Sequence, residues 1–166
     1  CTCIMYKLCR AQLPPLDETG SISAIPDGTP VFGNEPIVTV KAPIIEAQII
    51  ETILLSFLNA NICYTTAATR VVEAADGIGV MEFGARRAMG PEAALEASKC
   101  AVIAGCVGTS NVLAGQEYGV PVMGTMAHSL VTEADTEYEA FLNYAKAYPN
   151  NCVLLVDTYD VLKSGV

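Results

Sequence analysis

The 166-residue chain contains no tryptophan, a single histidine and only four phenylalanines. Positive charge is also scarce, with nine Lys and Arg against eighteen Asp and Glu and a formal net charge of −9. The cations are scattered apart from the pair Arg86-Arg87. Gripping a phosphate backbone requires a basic footprint, so no nucleic-acid partner is expected. Uninterrupted apolar runs are missing too. The longest greasy stretch, IIEAQIIETILLSFLNANIC (44–63), is broken by Glu46, Gln48 and Glu51, and no membrane span is expected. The opening CTCIMYKLCR lacks the apolar run and small-residue cleavage pattern of a signal peptide. Seven cysteines, at 1, 3, 9, 63, 100, 106 and 152, are odd in number and follow no framework spacing. Reduced thiols in a cytoplasmic protein are the expectation. Cys1, Cys3 and Cys9 cluster, but no matching second pair follows, so no metal site is expected.

What is present is a globular composition. Hydrophobic residues make up 52% and charged residues 16%, enough for one core or for parts of two domains. Residues 1–42 include the Gly- and Pro-rich DETGSISAIPDGTPVFGNEPIVTV (17–40), which predicts short strands at SISAI, PVF and PIVTV with a turn at PDG. Residues 43–75 predict one long helix from Pro43. Its polar positions, Glu46, Gln48, Glu51, Thr52, Ser56 and Asn59, form a narrow stripe, so most of it is expected to be buried.

Residues 76–166 alternate. IGVMEF (78–83) is strand-like, and Pro91 opens a helix on which Glu92, Glu96 and Lys99 share a face. AVIAGC (101–106) is divided between helix end and strand. A short helix from about Asn111 should stop at Gly119, and PVMGT is the next strand. Thr132 or Thr136 caps a helix through Tyr148, with Phe141, Tyr144, Ala145 and Tyr148 as its apolar face. CVLLV (152–156) reads as a fully apolar strand. Strand, loop and helix recur about four times, which argues for a parallel α/β sheet, open or closed into a barrel. Four units are half of an eightfold barrel, and LKSGV closes no pattern, so a piece of a larger protein is expected.

Polar clusters follow each strand: EFGARRA (82–88), GCVGTSN (105–111), GTMAHS (124–129) and VDTYD (156–160). In parallel α/β folds, functional groups gather at the C-terminal ends of strands. Arg86, Arg87, Thr109, Ser110, Thr125, His128 and Asp157 are therefore the candidate rim. Two guanidinium forks suit carboxylate or phosphate. Ser110-Asn111 at a helix start can offer backbone amides to an anion. A lone histidine with an Asp on the same rim can act as nucleophile or proton carrier. Each has an ordinary alternative: a surface ion pair for the arginines, a structural role for His128, an N-cap for Asp157.

Several of these motifs, in order, resemble the nicotinate phosphoribosyltransferases. The likeness runs from AIPDGTPVFGNEPIVTV to DTYDVLKSGV and is strongest in EFGARRA, GTSNVLAG, GVPVMGTMAHSLV, YEAFLNYA and VDTYD. It implies part of an α/β sandwich domain, a connecting helix, the first half of an irregular α/β barrel, and a homodimer. It also implies the joining of nicotinate to 5-phosphoribosyl 1-diphosphate, coupled to ATP hydrolysis with Mg²⁺, in NAD salvage. By motif position His128 is the phosphorylated histidine, and Asp157 either orients it or contacts ribose. The small neighbours of His128 would leave room for a phosphoryl group. Thr125 matches a residue that contacts nicotinate, Phe83 a ring that stacks on the pyridine in the related nicotinamide enzyme, with core packing as its alternative, and Arg86 an arginine near the product phosphate. Arg87 and Thr109 are further phosphate-site candidates. Ser110 stands where nicotinamide-specific relatives carry an aspartate, which would repel a carboxylate. A nicotinate-stacking N-terminal tyrosine is not recognisable, and the later barrel strands are absent. The rivals are a quinolinate phosphoribosyltransferase, a non-catalytic subunit completed by a partner, and an unrelated barrel enzyme using His128 as base.

Overall fold

The structure, a computed structural model, describes residues 20–166. The Cys1, Cys3 and Cys9 cluster lies outside the described residues. The chain separates into two compact units, one ending at Val122 and one from Met123 to Val166.

In the first unit, strands β1 (Ser21–Ala24) and β2 (Val38–Lys41) pair antiparallel, with Ser21 opposite Lys41 and Ala24 opposite Val38. The β2 sequence VTVK alternates half-buried and exposed positions, as a pleated strand with one covered face does. The PDG turn forms where expected. Thr29 N–H donates to Pro26 C=O at 3.3 Å, and Gly28 takes φ +81, which a type II turn demands at its third position. PVF forms no strand. It sits between this turn and a second one, in which Glu35 N–H reaches Phe32 C=O.

Helix α1 (Ile44–Ala74) follows Pro43. By length and composition it could cross a membrane, although Glu46, Glu51 and Glu73 punctuate it. The expected burial is not found. Only Ile50 and Leu54 are buried, while Ile44, Ile45, Ile49, Ile53 and Leu55 are exposed. The main helix packed on α1 is α2, which covers one strip; a 3.6-residue period carries the other apolar positions out of its reach.

The parallel part is short. Strand β3 (Met81–Glu82) pairs with β4 (Gly108–Thr109), and Thr109 forms a further parallel bridge to Val122. Helix α2 (Pro91–Ile103) joins β3 to β4, and α3 (Val112–Tyr118) joins β4 to the Val122 segment. These are successive β–α–β connections. IGVMEF and PVMGT are thus strand over fewer residues than expected. The packed face of α2 includes Ala94 and Ala101, as expected of its alanines, together with Ser98, Cys100 and Lys99, which was expected on the polar face; Leu95 is half-buried. Its C-terminus explains the divided reading of AVIAGC. Cys106 N–H bonds Ala101 C=O and Gly105 N–H bonds Val102 C=O, with Gly105 at φ +108. That is a Schellman stop, which delays the strand to Gly108.

In the second unit, α4 (His128–Glu133) and α5 (Glu137–Ala147) pack around Met126, Val131 and Ala140, with Phe141, Tyr144 and Leu155 against them. The capping choice falls on Thr136, whose hydroxyl accepts from Glu139 N–H; Thr132 bonds back to Ser129 C=O instead. Tyr148, expected on the packed face, is 56% exposed. CVLLV is extended but joins no ladder among the described residues. A strand exists only through a neighbour's backbone, and none lies alongside it in this unit. The architecture is therefore mixed α/β with a parallel component.

Candidate functional site

The first unit carries Phe83, Arg86, Arg87, Thr109 and Ser110. All follow or end β3 and β4, whose parallel pairing sets the EFGARRA and GTSN loops side by side. Ser110 N–H donates to Glu82 C=O at 3.0 Å, which ties the two strand ends together. Phe83 is 43% exposed, so its ring stands outside the core, available to stack. Arg86 and Arg87 occupy a single 3-10 turn, Ala85–Arg87, closed by Arg87 N–H to Gly84 C=O. Both are exposed, and neither guanidinium pairs with a carboxylate among the described residues. The surface ion-pair alternative for them is not realised there.

Two expectations for this unit fail. Thr109 is fully buried, and its hydroxyl is engaged internally, donating to Glu82 and accepting from Asn111 N–H at 3.0 Å. It has no face left for a phosphate. The backbone amides of Ser110 and Asn111 are likewise occupied, by Glu82 C=O and Thr109 Oγ1. The Asn111 side chain instead caps α3, accepting from Ala114 N–H. The Ser110 side chain remains exposed.

The residue that the sequence reading missed here is Glu82. Its carboxylate takes the Gly84 N–H on one oxygen, and the hydroxyls of Thr109 (2.5 Å) and Ser98 (3.0 Å) on the other. The partners lie 16 and 27 residues away, so no local spacing announces them.

The second unit carries Thr125, His128 and Asp157. His128 is the first residue of α4, after Ala127 as cap, rather than the end of a strand. Its Nδ1 lies 3.2 Å from Thr158 Oγ1, and its Nε2 lies 3.9 Å from Asp157 Oδ1. The structure thus brings the GTMAHS and VDTYD clusters together. The imidazole is 56% exposed, which argues against a purely structural histidine. The Asp157 oxygen is too distant to hydrogen-bond the ring, so orientation falls to Thr158, which the sequence reading also missed. Nor is Asp157 an N-cap. Asp160 does that work, accepting from Leu162 and Lys163 N–H groups ahead of the wide turn Val161–Gly165. Thr125 is exposed, with only a long 3.4 Å contact to Met126 C=O, leaving its hydroxyl available.

Among the described residues, three groups in the first unit have raised pKa values, each chiefly through burial. The Cys100 and Cys106 thiols are pushed up by desolvation, with Glu82's charge adding to the effect at Cys106. The Tyr118 phenol is raised by desolvation and by its 2.8 Å hydrogen bond to Glu96. No group of three or more His, Cys, Asp or Glu side chains is assembled to hold a metal among the described residues.

The chain is similar to several known proteins. Nicotinate phosphoribosyltransferase pncB2 of Mycobacterium tuberculosis is 49% identical over 145 residues, 87% of this chain and 31% of that protein. Nicotinate phosphoribosyltransferase of Bacillus subtilis is 46% identical over 140 residues, 84% of this chain and 28% of that one. The crystal structure of human nicotinic acid phosphoribosyltransferase superposes with a TM-score of 0.79 at 30% identity, over 97% of this chain and 41% of that one. The chain therefore spans about a third of the curated relatives it matches. These likenesses set aside the quinolinate enzyme and the unrelated barrel as readings. The family model of the nicotinate phosphoribosyltransferases (NAPRTase) matches residues 78–163, which hold every candidate site residue, and the chain belongs to that family.

Proposed function

We propose that the protein to which this chain contributes joins nicotinate to 5-phosphoribosyl 1-diphosphate, releasing nicotinate mononucleotide and diphosphate, with ATP hydrolysed in step. The observation that carries the reading is an exposed imidazole, held by Thr158 and facing Asp157, within the family's matched segment.

His128 is the phosphoryl acceptor. With Nδ1–H donating to Thr158 Oγ1, the lone pair resides on Nε2. Nε2 attacks the γ-phosphorus of ATP; the N–P bond forms as the P–O bond to the leaving ADP breaks. The ring becomes positively charged, and the Asp157 carboxylate balances that charge from 3.9 Å. Mg²⁺ enters as part of the nucleotide and diphosphate substrates, spreading their negative charge. Water later cleaves the N–P bond, and that release drives the equilibrium towards product.

In the first unit, the exposed Phe83 ring stacks on the pyridine of nicotinate, whose carboxylate needs a neighbour without negative charge. Ser110 leaves that carboxylate unopposed by charge. Arg86 takes the product phosphate, with Arg87 beside it on the same turn. The parallel strands belong to an incomplete α/β barrel, and β1–β2 to a sandwich domain joined to it by α1. A homodimer in the cytoplasm completes the reading.

The test is product formation by the full-length protein. Nicotinate, 5-phosphoribosyl 1-diphosphate and ATP should give nicotinate mononucleotide with ADP released in parallel, and nicotinamide should give none. Absence of nicotinate mononucleotide under these conditions contradicts the proposal.

A further inference from the structure

Glu82 ends β3 directly before Phe83, and its carboxylate is the common acceptor of three donors from three different segments. Gly84 N–H belongs to the loop that carries Phe83 and Arg86. The Thr109 hydroxyl belongs to the end of β4, directly before Ser110. The Ser98 hydroxyl belongs to the buried face of α2 and also reaches Ala94 C=O at 2.8 Å. Thr109 passes the connection on by accepting from Asn111 N–H, at the cap of α3. Ser98 and Thr109 are both fully buried, so water does not substitute for their two hydroxyl links, whereas the Gly84 link is exposed.

We infer that Glu82 is a positioning residue for nicotinate, fixing the Phe83 loop and the Ser110 loop at one spacing so that the pyridine meets both. The inference rests on the proposed function, which places Phe83 and Ser110 against the substrate. The geometry goes beyond ordinary packing of a half-buried glutamate. Each carboxylate oxygen serves a different loop, with Gly84 on one and Thr109 on the other, so the side chain acts as a spacer between them. Glutamine has the same length but replaces one acceptor by a donor. Its oxygen must keep Gly84 N–H, so its NH₂ faces Thr109 and reverses the direction of that hydroxyl bond. Alanine removes both links, leaving the Ser98 hydroxyl its Ala94 C=O partner and the Thr109 hydroxyl only the longer 3.3 Å contact to Ser98.

The experiment measures nicotinate KM and, separately, labelling of His128 by γ-labelled ATP without nicotinate, in full-length wild-type protein, Glu82→Gln and Glu82→Ala. The labelling reports on a step that nicotinate does not enter. Glu82→Gln is expected to raise nicotinate KM about threefold or more and Glu82→Ala about tenfold or more, each with labelling within twofold of wild type. Should Glu82→Ala fail to fold, Glu82→Gln decides alone. A folded variant whose nicotinate KM stays within twofold of wild type, whatever its thermal stability, overturns the inference. A proportional fall in KM performance and labelling together also overturns it, because a general structural role would do that. Failure of the proposed function is distinct: wild-type protein would then form no nicotinate mononucleotide at all.

Discussion

His128 Nδ1 and Thr158 Oγ1 lie 3.2 Å apart, although thirty residues of chain separate them. This contact, closer than the 3.9 Å approach of Asp157, holds the ring, and the proposed mechanism keeps the proton on Nδ1 and the lone pair on Nε2. It makes the first prediction specific. Thr158→Val keeps the shape and removes the hydroxyl, and a neutral hydrogen bond contributes about 0.5–1.5 kcal/mol. Labelling of His128 by γ-labelled ATP should slow about 3- to 10-fold in Thr158→Val, and Thr158→Ser should restore it. Rapid-quench labelling of the full-length variants measures both.

Ser110 is exposed beside the buried Thr109. Ser110→Asp puts a carboxylate where nicotinate's own carboxylate is proposed to lie. Like charges at contact distance cost well over 1.4 kcal/mol, the equivalent of a tenfold change. Nicotinate KM should rise at least tenfold while nicotinamide, lacking the charge, gains relative to it. Steady-state kinetics with both substrates tests this.

The α3 helix is held at both ends by single residues. Asn111 caps its start, and Gly119, at φ +68, ends it in the left-handed region. Asn111→Ala should cost about 1 kcal/mol through the lost cap, and Gly119→Ala about 1–2 kcal/mol through the side-chain clash there. Chemical denaturation of the two variants gives both values.

Burial keeps the Cys100 and Cys106 thiols protonated in the neutral range, and the thiolate is the reactive form. Both should resist a thiol-directed reagent in native protein and react on unfolding, as read by mass spectrometry of labelled peptides. The Tyr118 pKa is raised in the fold, so its stabilising contribution is complete below the unfolded value near 10 and is lost as pH climbs above it. Thermal melts between pH 8 and 11 should therefore fall more steeply for wild type than for Tyr118→Phe.

The parts of this molecule legible in the sequence are those decided by near neighbours. Pro91 begins a helix, Asn111 and Gly119 bracket another, and PDG makes a turn, because each acts through its own backbone within a few residues. Strand extent was not legible. CVLLV has the composition of a buried strand, but pairing depends on a segment elsewhere, and none lies beside it in its unit. The burial of α1 failed for the same reason, since an apolar face says nothing about what covers it. At the site, His128 stood out as the single imidazole. Glu82 and Thr158 were hidden, because their partners are side chains 16 to 30 residues away. Thr109 misled, since a hydroxyl in a GTSN loop looks available until the neighbouring carboxylate is seen to take it.

The central claim is that His128 accepts a phosphoryl group from ATP. Full-length protein is incubated with γ-labelled ATP and digested, and the label is mapped to a peptide. The account predicts label that is acid-labile and base-stable, located on His128, and missing from His128→Ala. Label that persists in His128→Ala, or that maps to a different residue in the wild type, contradicts it.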